Sequence, residues 1–300
     1  MDIERYRKRV EAELAKAAPA PRPAPRRARR GARATGAGDP TSADARKAAL
    51  TTPPLPDEDL ADRVAVLLSL LLDRKAPVAE RTTALQALGA LDFLGPRFEP
   101  FRADYKQALR QLATDPRATL RDKALELLAI AKDSYAQELL VRGLEKVDEA
   151  LVPEAKAMQY LAYDDHADLT SLARRVYRRS TGAAREEALR MLATDPSAET
   201  LLTRLLKDKS ETSSIRRISA SGLQSLNPDA FEKVARRIVT DEDDFNEIRA
   251  TSLAALAHGR EAQAKPVDPK FVDAVQEVAE TTKSTALRSS SKRFLRAVER

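Results

Sequence analysis

The chain has 300 residues, with 52 Lys and Arg against 46 Asp and Glu, no Cys, no Trp and two His. The lack of Cys excludes a disulfide framework, a thiolate metal site and a thiol nucleophile. The longest mostly apolar run, residues 64–72, is too short to span a bilayer, and the N-terminus has no apolar stretch of the signal-peptide type. We therefore expect a soluble, cytoplasmic protein without a transmembrane segment.

The basic excess lies in residues 1–56, which hold 13 Lys and Arg against 6 Asp and Glu. Between residues 19 and 38 there is no acidic residue, and prolines alternate with small residues. The arginines of this stretch are Arg22, Arg26, Arg27, Arg29, Arg30 and Arg33. Alternating prolines block helix, and few large apolar side chains are available for burial. We predict a mostly disordered tail over 1–56, in which residues 3–18 favour a short, marginal helix.

Residues 57–300 are nearly neutral, with apolar spacing typical of helix almost throughout. One phrase recurs seven times: Arg, a small residue three positions later, a large apolar residue at four and Leu at seven. The phrases begin at Arg81, Arg121, Glu154, Arg185, Arg216, Arg249 and Arg288. Their spacings of 31 to 40 residues leave room for one further amphipathic helix between successive phrases.

Positions three, four and seven of the phrase fall on one face of a helix, where the small residue lets a neighbouring helix approach closely. Each phrase therefore predicts the second helix of a hairpin. Such a hairpin cannot bury its apolar face alone, but stacking on its neighbours supplies the missing surface. We predict an all-α fold over 57–300, a right-handed α-solenoid of about seven helical hairpins forming one repeat domain.

The phrases TLRDKALELLAIA (119–131), AAREEALRMLATD (183–195) and EIRATSLAALAHG (247–259) resemble the second helices of HEAT repeats. In that family an Asp in the turn within a repeat commonly pairs with the Arg that opens the second helix. The resemblance implies this pairing for Asp115 with Arg121 and for Asp243 with Arg249, each six residues apart. A tetratricopeptide array suits some of the spacings, but its Gly/Tyr/Ala phrase is absent.

Certain HEAT-like proteins are enzymes. The resemblance implies that HEAT-like hydroxylases bind two irons through repeated His-Glu pairs, whereas here His166 precedes Ala167 and His258 precedes Gly259. HEAT-like DNA glycosylases use Trp, which this chain lacks. We interpret the acidic run at residues 241–244 as a solvated turn. We predict no catalytic residue, no cofactor, no metal site and no enzyme activity, with a DNA glycosylase or a bilin lyase as the exceptions left open.

The function that these patterns favour is a non-catalytic, monomeric scaffold or adaptor that binds another protein or peptide on its concave surface. Phrase positions two, five, six and nine point away from the core face and supply the candidate partner-binding residues. These residues are Gln86, Glu126, Gln159, Tyr160, Tyr163, Arg190, Met191 and His258.

The alternative function is nucleic-acid binding, in which clustered arginines contact phosphates. The six tail arginines would supply part of this contact. A second basic patch, also suited to another anion, comprises Arg174, Arg175, Arg178 and Arg179. The tail has two other interpretations, a flexible linker without a partner and a docking or targeting segment.

Overall fold

The computed structural model of the chain describes residues 46, 49, 57–262 and 268–299, and this part is helical with no strand. The helices of residues 57–299 are α1 Asp57–Leu72, α2 Val78–Asp92, α3 Glu99–Leu112, α4 Ala118–Ile130, α5 Ser134–Glu145, α6 Glu154–Leu161, α7 Thr170–Arg179, α8 Gly182–Leu192, α9 Glu199–Lys207, α10 Ser213–Leu226, α11 Pro228–Thr240, α12 Asn246–Ala262, α13 Pro269–Thr281 and α14 Thr285–Val298. All seven phrases lie on even-numbered helices, as predicted.

The chain divides into two compact units, the first ending at Asp165 and the second beginning at His166. In unit 1, helices α1 to α6 form three hairpins, and α2, α4 and α6 pack in succession. In unit 2, helices α7 to α14 form four hairpins; α8, α10, α12 and α14 pack in succession, as do α9, α11 and α13. Contact between equivalent helices of consecutive hairpins is the packing of an α-solenoid, so the predicted fold class is confirmed.

The predicted core face is buried in six of the seven phrases. Ala124, Leu125 and Leu128 of α4, for example, are fully buried between neighbouring helices. The last phrase departs from the pattern, since Lys292 of α14 is exposed and Leu295 is only half-buried.

The arginine that opens the second helix joins two hairpins in four of the described repeats, at α2, α4, α8 and α10. Arg216 is fully buried; its Nε donates to the carbonyl of Leu206 in its own hairpin at 3.0 Å. Its two terminal nitrogens donate to both carboxylate oxygens of Asp244 in the next hairpin, at 2.6 and 2.7 Å. Arg81 repeats this arrangement in unit 1, bonding to Leu71 and to Asp115 of the next hairpin.

These contacts correct the pairing that the resemblance implied. The carboxylate of Asp115 binds Arg81 of the preceding hairpin, whereas Arg121 donates to main-chain carbonyls, to that of Asp115 at 2.8 Å and to that of Leu151 at 2.7 Å. In the second case Asp243 is exposed, and Arg249 donates to the Val239 carbonyl and to Asn246. The buried carboxylate of this turn is that of Asp244, which binds Arg216 of the preceding hairpin. Residues 241–244 are therefore not simply a solvated turn, because the guanidinium reaches forward along the stack and buries one of their carboxylates.

The predicted tail lies outside the described residues, apart from Arg46 and Ala49, both of which are helical. Arg46 donates to Asp73 at 3.0 Å, and the Ala49 carbonyl accepts from Arg63 at 3.2 Å. The chain is therefore ordered at these two points before residue 57. Among the described helices, none is both long enough and apolar enough to cross a membrane.

Candidate functional site

Helices α8 and α10 of unit 2 approach closely because the residues between them are small. A Cβ atom added at Gly222 of α10 would lie only 2.7 Å from the Cβ of Ala193, which follows α8, and 3.1 Å from Leu202. Such distances are below van der Waals contact, so this position requires glycine. Thr212 is the N-cap of α10, and its hydroxyl accepts a hydrogen bond from the amide of Ile215 at 3.2 Å.

A groove runs along this contact on the solvent side. Its volume is about 700 Å³, and it is lined by Arg190, Ala193, Thr194, Ser214, Arg217, Ile218, Ser221, Gly222, Ser225 and Leu226. We call it the α8–α10 groove. It exists because α10 presents serines and a glycine where larger side chains would fill the space.

The lining of the groove combines hydroxyl groups with a small apolar floor. Ser221 and Ser225 are exposed, whereas Ala193, Ile218 and Leu226 are half-buried. A hydroxyl can both donate and accept a hydrogen bond, so the serines can bind amide or carbonyl groups of a ligand. The apolar residues can cover a side chain of moderate size.

The two cations of the groove are already paired. Arg190 donates to Glu187 at 2.7 Å and lies 3.6 Å from Glu186, while Arg217 donates to Glu247 at 2.7 Å. Both guanidinium groups are about half exposed, and exposed pairs of this kind contribute little free energy. The groove is therefore close to neutral, with exposed ion pairs that a ligand can rearrange.

Of the residues predicted to bind a partner, three lie in unit 2. Arg190 lines the α8–α10 groove. Met191 is half-buried beside it on α8, and His258 is exposed on α12. The serines and Gly222 were missed by the sequence analysis, although the phrase beginning at Arg216 places a serine at position five and another at position nine.

The other five predicted residues lie in unit 1. Gln86, Gln159 and Tyr163 are exposed there, and the half-buried Glu126 accepts from Lys123 at 2.9 Å. Tyr160, the fifth of these residues, is buried.

Tyr160 is buried, which corrects the prediction that it projects from an open surface. Its hydroxyl donates to Asp122 at 2.8 Å, and Lys156 donates to the other oxygen of the same carboxylate at 2.5 Å. Burial acts to raise the pKa of Asp122, but the bonds from Lys156 and Tyr160 outweigh it and hold this pKa below its ordinary value. Tyr160 thus ties α6 to α4.

The predicted basic patch is present on α7. Arg175, Arg178 and Arg179 are exposed, whereas Arg174 is half-buried and donates to Ser197 at 2.7 Å. Arg174 therefore joins α7 to the chain that leads into α9. The tail arginines Arg22, Arg26, Arg27, Arg29, Arg30 and Arg33 lie outside the described residues.

Within the part of the chain that the structure describes, no group of three or more His, Cys, Asp or Glu side chains is placed to hold a metal ion. Comparison with family models finds no match, and no curated protein matches the chain. Among solved structures, human deoxyhypusine hydroxylase in complex with glycerol matches at 16% identity. The match covers 82% of this chain and 99% of that chain, with a TM-score of 0.32.

This finding corrects two predictions, because the protein found is an enzyme. The prediction of no enzyme activity, with exceptions only for a DNA glycosylase and a bilin lyase, is contradicted, since it set aside the hydroxylases. The prediction of a non-catalytic scaffold or adaptor, with nucleic-acid binding as its alternative, is contradicted with it. At this identity and TM-score no residue role is carried from that protein to this chain.

Proposed function

We propose that this chain binds an extended segment of another polypeptide in the α8–α10 groove. The observation that carries the proposal is the groove itself, an open cavity of about 700 Å³ between two second helices. Pockets of roughly 300–1,000 Å³ are typical of ligand-binding sites.

The length of the groove suits a short extended segment. Its lining on α10 runs from Ser214 to Leu226, which at 1.5 Å per residue corresponds to about 18 Å of helix. An extended chain rises about 3.3 Å per residue, so five or six residues span this length.

The chemistry of the lining suits the backbone of such a segment. Ser214, Ser221 and Ser225 lie along one side of α10, about 10.5 and 6 Å apart along its axis, so their hydroxyls can pair with peptide groups about three and two residues apart in an extended segment. Ile218 and Leu226 provide apolar contacts for one or two side chains of the ligand. Because Arg190 and Arg217 are neutralised by glutamates, we expect a mostly uncharged segment.

The proposal also includes three predictions from the sequence: further contact residues, the repeat class and the monomeric state. Arg190 contacts the bound segment from the rim, while Gln86, Glu126, Gln159, Tyr163, Met191 and His258 remain predicted contacts outside the groove. We also propose that the repeats are of the HEAT class and that the chain is monomeric. The opening arginines, with acidic partners in neighbouring repeats, support the HEAT assignment.

The experiment is a selection of random peptides displayed on phage against the full chain, followed by affinity measurements. Ser221→Phe fills the groove with a ring at an exposed position. Ser289→Phe on α14 is the matched control, because Ser289 is also an exposed serine on a second helix and lies outside the groove.

We expect selected peptides to lose at least about tenfold in affinity for the Ser221→Phe variant, since about 1.4 kcal/mol of lost contact is sufficient for that. Binding to the Ser289→Phe variant should be unchanged. Recovery of no peptide, or equal binding to both variants, would contradict the proposal.

A further inference from the structure

The first helices of three consecutive hairpins in unit 2 are in register. Helices α7, α9 and α11 begin at Thr170, Glu199 and Pro228, each 29 residues after the last. Their burial repeats with the same period. The equivalent buried sets are Ala173, Leu202 and Phe231; Val176, Leu205 and Val234; and Tyr177, Leu206 and Ala235.

The outward positions of the same helices carry positive charge in the same register. One row consists of Arg175, Arg204 and Lys233, all exposed. The neighbouring row consists of Arg178, Lys207 and Arg236, of which the first two are exposed and the third is half-buried. We call these six residues the basic ridge. Sequence analysis identified only its part on α7.

Packing places the two rows side by side across the hairpins. Helices α9 and α11 pack against each other, and Arg174 of α7 bonds to Ser197 immediately before α9. Packed helices lie about 8–10 Å apart, so the cations of each row on α9 and α11 are separated by about that distance. Within one helix the two rows are separated by three residues, or about 4.5 Å.

Internal pairing does not account for the ridge. Within the described part of the chain, Arg178, Lys207 and Lys233 have neither a hydrogen bond nor an ion pair. Arg236 differs, since it pairs with Glu232 and lies over the ring of Phe271, and Arg175 also interacts with another described group. Three uncompensated cations thus face solvent on three neighbouring helices.

Among the first helices of unit 2, α7, α9 and α11 carry a net positive charge, whereas α13 does not. On α13 the exposed positions include Asp273 and Glu277, so the surface becomes acidic at the next hairpin. On α5 of unit 1 the exposed side chains are likewise acidic, at Glu138 and Glu145.

We propose that the basic ridge binds an acidic polypeptide segment that crosses α7, α9 and α11 in an extended conformation. At about 3.3 Å per residue, every third residue of such a segment advances by about 10 Å, close to the distance between the helices. A carboxylate at every third residue therefore meets one cation pair on each helix. The site lies on first helices and is separate from the α8–α10 groove.

The dimensions favour one polypeptide chain over a membrane. Two rows about 4.5 Å apart match the width of one extended strand, whereas a lipid surface is planar and would also meet the acidic α13. Arginine and lysine both attract carboxylates, and the arginine fork can bind one in bidentate fashion.

The test uses the full chain and two fluorescent peptides of equal composition. One is a repeat of Glu-Gly-Ser, with Glu at every third position; the other has its glutamates clustered at one end. The ridge variant is Arg204→Glu combined with Lys233→Glu. The control variant is Lys292→Glu combined with Arg296→Glu, which reverses two exposed cations on α14 and leaves the ridge intact.

We expect the ridge variant to bind the Glu-Gly-Ser peptide at least about tenfold more weakly than the unmodified chain, because two attractive contacts become repulsive. The control should change affinity less than about twofold, and the clustered peptide should bind more weakly than the spaced one. Equal loss in both variants, or equal affinity for both peptides, would overturn the proposal. Stronger binding to phosphatidylserine vesicles or to a single-stranded RNA than to the spaced peptide would also overturn it.

Discussion

Arg216 and Asp244 form a bidentate ion pair between consecutive hairpins, with N–O distances of 2.6 and 2.7 Å and both side chains buried. The Nε of the same arginine binds the Leu206 carbonyl at the end of α9. One guanidinium therefore holds the first helix of its own hairpin and the turn of the next. Arg185 makes a comparable bidentate contact with Glu211 one hairpin earlier.

Replacement of Asp244 by Asn should destabilise unit 2 strongly. The change leaves the buried Arg216 without its counter-charge, and breaking a buried pair in this way costs about 3–5 kcal/mol. Urea denaturation followed by circular dichroism measures the loss. Asp243→Asn, one residue away and exposed, should cost less than about 0.5 kcal/mol. Similar losses for the two variants would show that Asp244 is not the partner.

Two Gly→Ala substitutions should have opposite effects on stability. At Gly222 the new methyl group would lie 2.7 Å from the Ala193 Cβ, so α8 and α10 must separate, at a cost of about 1–3 kcal/mol. At Gly89 of α2 the methyl group would meet only the Tyr105 hydroxyl at 3.6 Å. There the better helix propensity of Ala should stabilise by about 0.4–1 kcal/mol. Thermal melting of both variants shows whether each substitution raises or lowers the stability. A Gly222→Ala variant that is more stable than the unmodified chain would contradict the close approach of α8 and α10.

Leu125 tests the assignment of the core face. It is fully buried on α4, and its replacement by Ala should cost about 2–5 kcal/mol through lost burial and a residual cavity. Ile130→Ala at the end of the same helix is the control, because Ile130 is 53% exposed and should change stability by less than about 1 kcal/mol. A loss below about 0.5 kcal/mol for Leu125→Ala would mean that the core face is misplaced.

Asp133 should make stability depend on pH in the acidic range. Burial acts to raise the pKa of its carboxyl, but bonds from Arg110 and Lys106 outweigh this and hold the pKa below its ordinary value. The pairing thus stabilises the fold above the unfolded-state pKa of about 4 and is lost as pH falls through the lower, folded-state pKa.

Asp133→Asn should cost about 1.5–3 kcal/mol at neutral pH, as expected for hydrogen bonds to a charged group. The difference from the unmodified chain should begin to shrink below about pH 4, where the unfolded carboxyl becomes protonated, and should disappear below the lower, folded-state pKa. Urea midpoints across the acidic range measure this convergence. A difference that stays constant with pH would rule out the charge as its source.

Much of the fold follows from the period of the phrases, because a helical face with a small residue at position three needs a neighbour on that side. The partners in the ion pairs could not be predicted from this period. The six-residue interval from Asp115 to Arg121 gives a distance along the chain, whereas the Arg81 guanidinium reaches Asp115 from 34 residues away. Which hairpin supplies the carboxylate depends on how the hairpins stack.

The groove and the ridge were missed for different reasons. The groove forms because α10 has no large side chain at Ser221, Gly222 and Ser225. The space that these residues leave becomes a groove only when the helices pack, so the sequence does not indicate it. The ridge has a sequence signal, the 29-residue interval from Arg175 to Arg204, but this repeat lies on first helices. The seven phrases, which are the stronger sequence pattern, all lie on second helices.

Hydrogen exchange of the full chain, with and without a peptide selected on it, tests the groove most directly. The account predicts slower exchange of backbone amides in Gly182–Leu192 and Ser213–Leu226, with no change in Ala118–Ile130. Protection elsewhere in the chain, with none in α8 or α10, would contradict it.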